Sequence, residues 1–381
     1  MMFPPRRMTV LFASTKERGD HFAVRLGLRL ETGLRRSNSV PARFACIRRV
    51  AMGLSFPKAG FVALVSAVAL ACGLPLGTAR AELLARVPSA REMAVCGDIL
   101  FVGTKGSSVY ALSLSGGRAR RVASGFSNAN GVACSRGRLF VASGNSITAF
   151  EIGRGGTLSG RRVVRRDLPD SGAHGYRYVA VGPDSRLYVS LGSPCNICIP
   201  RGLQGTIVSM NQDGSDLRRV AWGVRNSVGF DWRGGTMFFT DNGADRMGDD
   251  IPPDELNALR PGGFYGFPYF GGEVPLTGFE DATPPARQIP PVFNFQAHVA
   301  ALGIHFFRSL GGDALVAQHG SWNRSAPVGY QVVRVRFRGG RPVSATTFLR
   351  NVGRPVDVKE APDGSILVSD DAGGAIHIFR R

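Results

Sequence analysis

The sequence predicts an all-β fold, a six-bladed β-propeller, on three observations. One turn–strand order recurs six times, mostly at intervals of about 40–50 residues. No amphipathic helix of ordinary length competes with these strands. The 381 residues include 50 glycines and are 44% hydrophobic, a composition typical of a turn-rich β-protein and not of a disordered chain. A pair of β-sandwiches is the alternative fold, but it does not explain six copies of one turn–strand order.

Each repeat consists of a turn, a hydrophobic strand and a polar or glycine-rich loop, and most have a further short strand. A short strand closed by a Gly/Asp turn precedes each repeat, so several strands belong to one unit, as in propeller blades. One interval is stretched, and its Pro-rich residues 271–296 predict an inserted loop over one face. The hydrophobic anchors of the six repeats are Leu100, Leu139, Leu187, Met237, Leu315 and Leu367.

The residues at the entries of the six first strands are mostly cations, imidazoles and amides. The first strand of each blade lines the central channel, so these side chains are expected to meet at one mouth. Arginine forks match carboxylates, and a histidine there suits proton abstraction near neutral pH. The entry residues are Arg91, Asn128 and Asn130, His174, Arg225 and Asn226, His298, and Arg354.

The net charge of +19 does not indicate nucleic-acid binding. Residues 1–81 contain 13 Lys/Arg and 3 Asp/Glu, so about half of the excess lies in a leader. The remaining 300 residues contain 34 Lys/Arg and 25 Asp/Glu. We expect this excess of positive charge to be scattered along the chain, because no basic block is interleaved with aromatic residues.

The leader has two parts, and the second predicts export. Residues 1–51 are Arg-rich and unlike a packed domain, and we expect them to lie outside the real protein. Residues 52–81 carry Lys58, an apolar run over 61–71 and Ala79-Arg80-Ala81, which together are typical of a secretory signal peptide. The predicted mature chain is a single propeller domain, residues 82–381, without a membrane span and located in the periplasm or outside the cell. A membrane anchor is the weaker reading, because the apolar run is short, and a lipoprotein cleaved at Cys72 is the less favoured form of export.

Four cysteines remain in the propeller, an even number that suits a disulfide-permitting compartment. Cys195 and Cys198 form a C-x-x-C that we interpret as a structural disulfide or inert thiols. Ile199 excludes a haem-attachment motif, and no second ligand pair supports zinc. A bridge between Cys96 and Cys134 is conceivable, because they occupy nearly equivalent places in adjacent blades.

Residues 240–270 combine six carboxylates with glycine-rich turns, a pattern suited to calcium or to a solvated loop. Here the sequence resembles a known family. The segments "WGVRNSVGFDW", "FTDNGADRMGDDIPPDELNAL", "HGYRYVAVGPDSRLYVSLGSPCN" and "LVAQHGSWNRSAPVGYQVVRVRF" are similar to the sorbosone dehydrogenase group. That group belongs to the pyrroloquinoline quinone (PQQ)-dependent soluble glucose and aldose dehydrogenases, and the resemblance covers about residues 85–380.

The resemblance implies a PQQ- and calcium-dependent sugar or sorbosone dehydrogenase. The substrate is then an aldose or sugar-derived aldehyde, and electrons leave to a separate acceptor, a cytochrome or a quinone. His174 falls on the family's catalytic base, and Arg225 with Asn226 falls on a pair that contacts the quinone. The further implied cofactor residues are Arg91, His319, Arg324 and Arg354, and the implied calcium ligands are Gly243, Ala244 and Asp245.

Three departures from the family pattern keep two rival functions open. Val356 replaces the second arginine of an R-x-R element, Ala244 replaces a proline, and "QHGSWNR" has no lysine where the glucose enzymes have one. One rival is a calcium-dependent lactonase-type propeller, which would need more carboxylates at the mouth. The other is a non-catalytic propeller that binds an envelope partner.

Overall fold

The computed structural model describes residues 9–15, 23–29, 81–169 and 172–380. The chain divides into two units, Met1–Thr78 and Ala79–Arg381. In the first unit, strands Thr9–Thr15 and Ala23–Arg29 form an antiparallel pair. Nearly all of the predicted signal peptide, residues 52–80, lies outside the described residues, so the leader and the signal peptide stay predictions.

The second unit is a six-bladed β-propeller, which confirms the predicted fold. Blade 1 consists of strands Ala90–Cys96, Ile99–Thr104, Val109–Ser113 and Arg120–Ala123. Blade 2 consists of Gly131–Ser135, Arg138–Ser143, Ser146–Ile152 and Leu158–Arg165. Blade 3 consists of Val179–Val181, Leu187–Leu191, Thr206–Met210, Arg218–Trp222 and a fifth strand, Gly263–Phe264.

The other three blades follow the same order. Blade 4 consists of Phe230–Arg233, Thr236–Asp241, Asp254–Ala258 and Phe293–Phe295. Blade 5 consists of Ala301–Phe307, Asp313–Gln318, Gln331–Arg338 and Arg341–Leu349. Blade 6 consists of Pro355–Glu360, Ile366–Asp370, Ala375–Phe379 and Glu82–Arg86.

The described helices are three short 3-10 turns, Arg154–Gly156, Gly172–His174 and Arg308–Leu310. None of the helices in the described residues has the length and apolar character needed to cross a membrane.

The six hydrophobic anchors lie where the repeats predict, on the second strand of each blade. Each is at most 1% exposed. They pack between neighbouring blades, so that Leu100 of blade 1 and Leu367 of blade 6 share one hydrophobic cluster. The turn before the second strand requires a left-handed residue, which Gly97 supplies in blade 1 with φ 67°.

The stretched interval is less irregular than the sequence suggests. The prediction of an inserted loop over residues 271–296 is wrong at its end, because Phe293–Phe295 pairs with Asp254–Ala258 as the outer strand of blade 4. A hairpin of two short strands, Phe270–Gly271 and Val274–Pro275, opens the segment that remains irregular. Its short strands carry little periodicity, which explains why the pattern did not reveal them.

Two disulfides join the four cysteines of the propeller. Cys96–Cys134 links blade 1 to blade 2, and Cys195–Cys198 closes the loop after the second strand of blade 3. The predicted C-x-x-C therefore forms a structural disulfide.

A buried polar network crosses the propeller axis. Lys359 of blade 6 contacts both carboxylate oxygens of Asp357 at 2.8 Å and donates to the Tyr178 hydroxyl of blade 3 at 3.1 Å. The third and sixth blades are opposite in the ring, so this bond spans the channel. Glu92 is 1% exposed, accepts from Asn130 and leaves its second carboxylate oxygen without a partner. Burial raises the pKa of Glu92 well above 4.5, and the Asp357 carboxylate raises it further, although Arg91 and Lys359 oppose the shift.

The raised pKa of Glu92 predicts a loss of stability as pH rises. Its contribution is complete below the pKa of the unfolded chain and is lost as pH rises through the higher folded pKa. Glu92→Gln keeps the shape without the ionisation. We expect the melting temperature of E92Q relative to the parent to increase by about 2 °C or more between about pH 5 and about pH 9. Scanning calorimetry across pH measures this difference, with exposed Glu151→Gln as the control, and a constant difference would contradict it.

Candidate functional site

Two residues of blade 1 mark the mouth of the channel: Arg91 at the start of the first strand and Lys105 just after the end of the second. Arg91 was expected ahead of the first strand of blade 1, but it is the second residue of that strand and is 3% exposed. Lys105 directly follows the second strand of the same blade. The other entry residues precede the first strands of their blades, as the repeats predict.

One carboxylate gathers cationic groups from both neighbouring blades. Asp371 of blade 6 lies 3.0 Å from Arg91 and 2.7 Å from Lys105 of blade 1, and 3.0 Å from Nε2 of His319, which follows the second strand of blade 5. We call these four residues the Asp371 cluster. Its hydrogen bonds and positive neighbours hold the pKa of Asp371 well below its usual range, although burial opposes this. Burial lowers the pKa of His319, while Asp371 acts in the opposite direction. Two permanent cations share a single carboxylate, so the cluster has an excess of positive charge.

Arg354 lies beside the Asp371 cluster. Its guanidinium donates to the carbonyls of His319 and Gly320 at 3.3 and 3.1 Å and lies over the Tyr330 ring. The structure therefore brings three predicted cofactor residues, Arg91, His319 and Arg354, to one side of the mouth.

His174 has a defined tautomer and a depressed pKa. Its Nδ1 lies 2.7 Å from the carbonyl of Ser193, which can only accept, so Nδ1 carries the proton and Nε2 keeps its lone pair. Burial and the nearby Arg225 guanidinium lower its pKa to about 4, against the opposing effects of Ser193 and Asp245. The imidazole is therefore neutral above about pH 5. Gly192 allows this placement, because a Cβ there would lie 2.5 Å from the His174 Cβ.

Arg225 is held by the disulfide loop. The Asn196 carbonyl accepts from Arg225 Nε at 2.9 Å, and the Asn196 side-chain oxygen accepts from Arg225 Nη2 at 2.7 Å. The same side-chain oxygen accepts from the Asp245 backbone at 2.8 Å, while Asp245 pairs with Arg225 at 2.9 Å. Asn323 donates to the other Asp245 oxygen at 3.2 Å. These four residues form the Asp245 cluster, and the C-x-x-C loop that carries Asn196 fixes Arg225 next to His174.

Tyr176 lies between Arg91 and His174, in space next to the first and in sequence close to the second. Its ring lies under the Arg91 guanidinium, 4.6 Å from centroid to carbon, and it is two residues from His174. The imidazole and the cations of the Asp371 cluster therefore belong to one mouth.

The predicted calcium residues are placed unequally. The Gly243 amide donates to Asp254 at 2.7 Å, and Ala244 is buried against Phe267 and Leu276. The carbonyls of Gly243 and Ala244 accept no hydrogen bond among the described residues. The Asp245 carboxylate is engaged by Arg225 and Asn323. No group of three or more metal-binding side chains occurs in the described part of the chain.

The remaining predicted residues lie around this core. Asn226 donates from its side chain to Asn242 at 3.2 Å. Arg324 binds Asp249 and Asp250 of the acidic loop and not the Asp371 cluster. His298 lies 2.8 Å from the Gly248 carbonyl, so it also holds this loop. Val356 packs with Val228 and Leu302, which leaves this side of the channel apolar.

Sequence reasoning missed Lys105, Asp371, Asn196 and Asn323. Lys105 could have been noticed, because it is one of only two lysines in residues 82–381. The contacts of the other three depend on how distant loops meet.

Comparisons with known proteins confirm the resemblance to PQQ-dependent sugar dehydrogenases. A family model described as TrAA12-like matches residues 270–381. An uncharacterized protein of Borreliella burgdorferi is 39% identical over 230 residues, 55% of this chain and 61% of that protein. A pyrroloquinoline quinone-dependent sugar dehydrogenase of Hypocrea jecorina is 26% identical over 216 residues, 42% of this chain and 48% of that protein. The chain thus spans between about half and three fifths of the length of these curated relatives.

The fold is shared with Trichoderma reesei Carbohydrate-Active Enzymes Family AA12. Its iodide and calcium structures both have a TM-score of 0.70, at 24% and 23% identity, covering 79% of this chain and 95% of theirs.

The Asp245 cluster predicts that Asn196 holds the guanidinium beside His174. In Asn196→Ala we expect the free energy of unfolding to fall by about 1–3 kcal/mol, because a buried guanidinium loses one of its acceptors, the Asn196 side-chain oxygen. We also expect the pKa of His174 to rise above about 4, because Arg225 is held less firmly beside it. Chemical denaturation and NMR titration of the imidazole measure the two effects.

Asn323→Ala is the matched control for this prediction, because Asn323 touches Asp245 but not Arg225. It should change the pKa of His174 less. If N196A loses stability but the His174 imidazole titrates as in the parent, Asn196 does not position Arg225 beside His174.

Proposed function

We propose that this protein is a PQQ-dependent dehydrogenase that oxidises an aldose or a sugar-derived aldehyde such as sorbosone. The observation that carries the proposal is the Asp371 cluster with Arg354, an excess of cations beside a neutral imidazole with a free Nε2. The resemblance to PQQ-dependent sugar dehydrogenases supports oxidation of a sugar as the reaction class. The particular substrate and the role of each residue are what we propose in addition.

The residues at the mouth fit the charge of the cofactor. PQQ carries three carboxylates on a planar ring system, and guanidinium and ammonium groups are the usual partners of such anions. Arg91, Lys105 and Arg354 would hold the carboxylates, with His319 between them. Lys105 would supply the ammonium that "QHGSWNR" lacks, and Arg91 would offset the guanidinium lost at Val356.

Calcium would be held by the carbonyls of Gly243 and Ala244, which accept no hydrogen bond among the described residues, while the Asp245 carboxylate stays paired with Arg225. Backbone carbonyls and carboxylates are the oxygen ligands that calcium prefers. Bound there, calcium would supply Lewis acidity, and PQQ would accept the two electrons.

His174 would act as the general base. Oxidation of the anomeric carbinol of an aldose, or of a hydrated aldehyde, removes two electrons and two protons. The hydroxyl proton would pass to Nε2 of His174, and the carbon-bound hydrogen would leave with both electrons as hydride. The Ser193 carbonyl keeps the imidazole in the tautomer that this step needs, and it also orients the ring. Arg225 would place a fixed positive charge next to the base, so that negative charge developing in the transition state is stabilised.

We place the enzyme in the periplasm or outside the cell, with a cytochrome or a quinone as a separate electron acceptor. The signal-peptide pattern of residues 52–81 supports export. The two disulfides of the propeller are consistent with an oxidising compartment.

Reconstitution with PQQ and calcium tests the proposal. We expect dye reduction with at least one member of a panel of aldoses and sorbosone. His174→Gln should lower kcat by about 100-fold or more through loss of the base, with PQQ still bound. His305→Gln, in blade 5 against Asp231, is the control and should retain turnover. PQQ binding without turnover of any substrate in the parent would contradict an oxidising enzyme, and lactone hydrolysis with calcium alone would favour the lactonase.

The depressed pKa of His174 predicts the pH profile. A histidine of lower pKa stays an available base at lower pH, so kcat/KM should remain level down to about pH 5 and fall near pH 4. Arg225→Gln should move this acid limb upward, because the guanidinium that lowers the pKa is removed. An acid limb at the ordinary histidine value of 6.5 in the parent would show that another group or environment governs the proton transfer.

Lys105 should contribute to PQQ affinity. We expect Lys105→Gln to raise the Kd for PQQ by about tenfold, because a partly exposed ammonium is lost from a carboxylate-binding group. Absorbance titration without substrate measures this Kd, and Arg260→Gln, an exposed arginine of the blade 4 insertion, is the control of equal charge. Bound PQQ should also protect Lys105 from acetylation, followed by peptide mass spectrometry. Equal acetylation with and without bound PQQ would contradict the contact.

A further inference from the structure

The net charge of the propeller is confined to two blades. Residues 118–166 contain ten arginines and one glutamate, a net charge of +9. The rest of residues 82–381 contains 24 Lys/Arg and 24 Asp/Glu and is neutral. The expectation that the charge is scattered along the propeller is therefore wrong. The arginines are Arg118, Arg120, Arg121, Arg136, Arg138, Arg154, Arg161, Arg162, Arg165 and Arg166.

These arginines form one continuous surface, which we call the basic face. Eight of the ten are exposed. Arg120 of blade 1 donates to the Gly155 carbonyl of blade 2, and Arg161 of blade 2 donates to the Ser124 carbonyl beside blade 1 at 3.0 Å. The Cys96–Cys134 disulfide fixes the same pair of blades. The two halves of the basic face therefore cannot separate without breaking blade packing.

Few carboxylates pair with the arginines of the basic face. Among the described residues, Arg165 is the one member that forms an ion pair, with Asp167. Blade 3 differs, because Asp216 pairs with both Arg186 and Arg218 of that blade. Protection of an exposed edge strand requires scattered charge and not nine clustered arginines without an ion pair, so this role does not account for the basic face.

The basic face covers the base and the outer strands of the two blades, and only Arg165 and Arg166 lie at the strand end nearer the mouth. Arg91 and Lys105 mark the mouth at the start of the first strand and after the end of the second strand of blade 1. The turns between first and second and between third and fourth strands are then at the opposite end, the base. Arg118, Arg136 and Arg154 lie in such turns, and most of the others follow on the outer strands of the two blades.

We propose that the basic face binds the headgroups of an anionic phospholipid bilayer, with the channel mouth turned away from the lipid. Arginines spread over several turns and two outer strands recognise charge over a wide area without a shaped pocket, as a bilayer surface requires. Phe126 and Phe150 lie beneath Arg161 and are buried, so the face offers no aromatic platforms for stacked bases. A partner seated on the base leaves the sugar site open, and the proposal does not depend on the proposed enzyme activity.

Vesicle sedimentation of the full chain tests this proposal. We expect binding to phosphatidylglycerol-containing vesicles at low salt, release at high salt, and no binding to pure phosphatidylcholine. The variant R118Q/R121Q/R154Q/R162Q removes four exposed arginines whose side chains form no hydrogen bond among the described residues. Its vesicle partition coefficient should fall by at least about tenfold.

The matched control is R260Q/R287Q/R336Q/R338Q, which removes four exposed arginines from blades 4 and 5. This control has the same net charge as the basic-face variant and the same leader, and it should bind the vesicles as strongly as the parent does. Equal binding by the parent and both variants, or equal loss in both variants, would overturn the proposal. Binding to duplex DNA or to an acidic protein, with none to anionic vesicles, would also overturn it. Circular dichroism verifies that both variants are folded.

Discussion

The channel mouth depends on one buried carboxylate, that of Asp371. It receives an imidazole from blade 5 and two cations from blade 1, so a single side chain of blade 6 ties three consecutive blades together at the site. A guanidinium and an ammonium would otherwise repel each other in this confined space. The carboxylate keeps them close while leaving positive charge uncompensated, and this is the condition an anionic cofactor needs. Removing Asp371 would leave the buried Arg91 guanidinium without its ion-pair partner, which costs more than the pair itself contributes.

The second half of the site rests on the disulfide loop. Asn196 lies between Cys195 and Cys198 and uses its backbone and its side chain to hold Arg225. Burial lowers the pKa of the neighbouring His174, and the charge of Arg225 lowers it further, so the imidazole stays neutral. The C-x-x-C thus has a role in the electrostatics of the base, although it lies outside the reacting groups. Tyr176, two residues from His174 in the chain, packs its ring under the Arg91 guanidinium of the first half.

The repeats allowed the fold to be predicted from sequence, because a buried anchor such as Leu187 recurs with a constant local pattern in every blade. The entry positions likewise located His174 and Arg225, since strand order alone brings them to one mouth. Partners such as Asp371 and Lys105 could not be predicted, because they are more than 260 residues apart and their contact exists only once the ring has closed. The outer strand of blade 4 and the short hairpin that precedes it in sequence were missed for a related reason. Two or three residues give no periodicity, and tertiary pairing alone defines them.

The strand Glu82–Arg86 has a consequence for how this molecule forms. It pairs with Ala375–Phe379, so the first and last segments of the propeller lie in one sheet. During synthesis the N-terminal strand emerges first and must wait for its partner until the last strand of the propeller has been made. The ring is therefore sealed last, by a contact between the most distant parts of the sequence, and such contacts carry a high entropic cost and form slowly. Until then one edge of the final blade is unpaired and open to association with other chains.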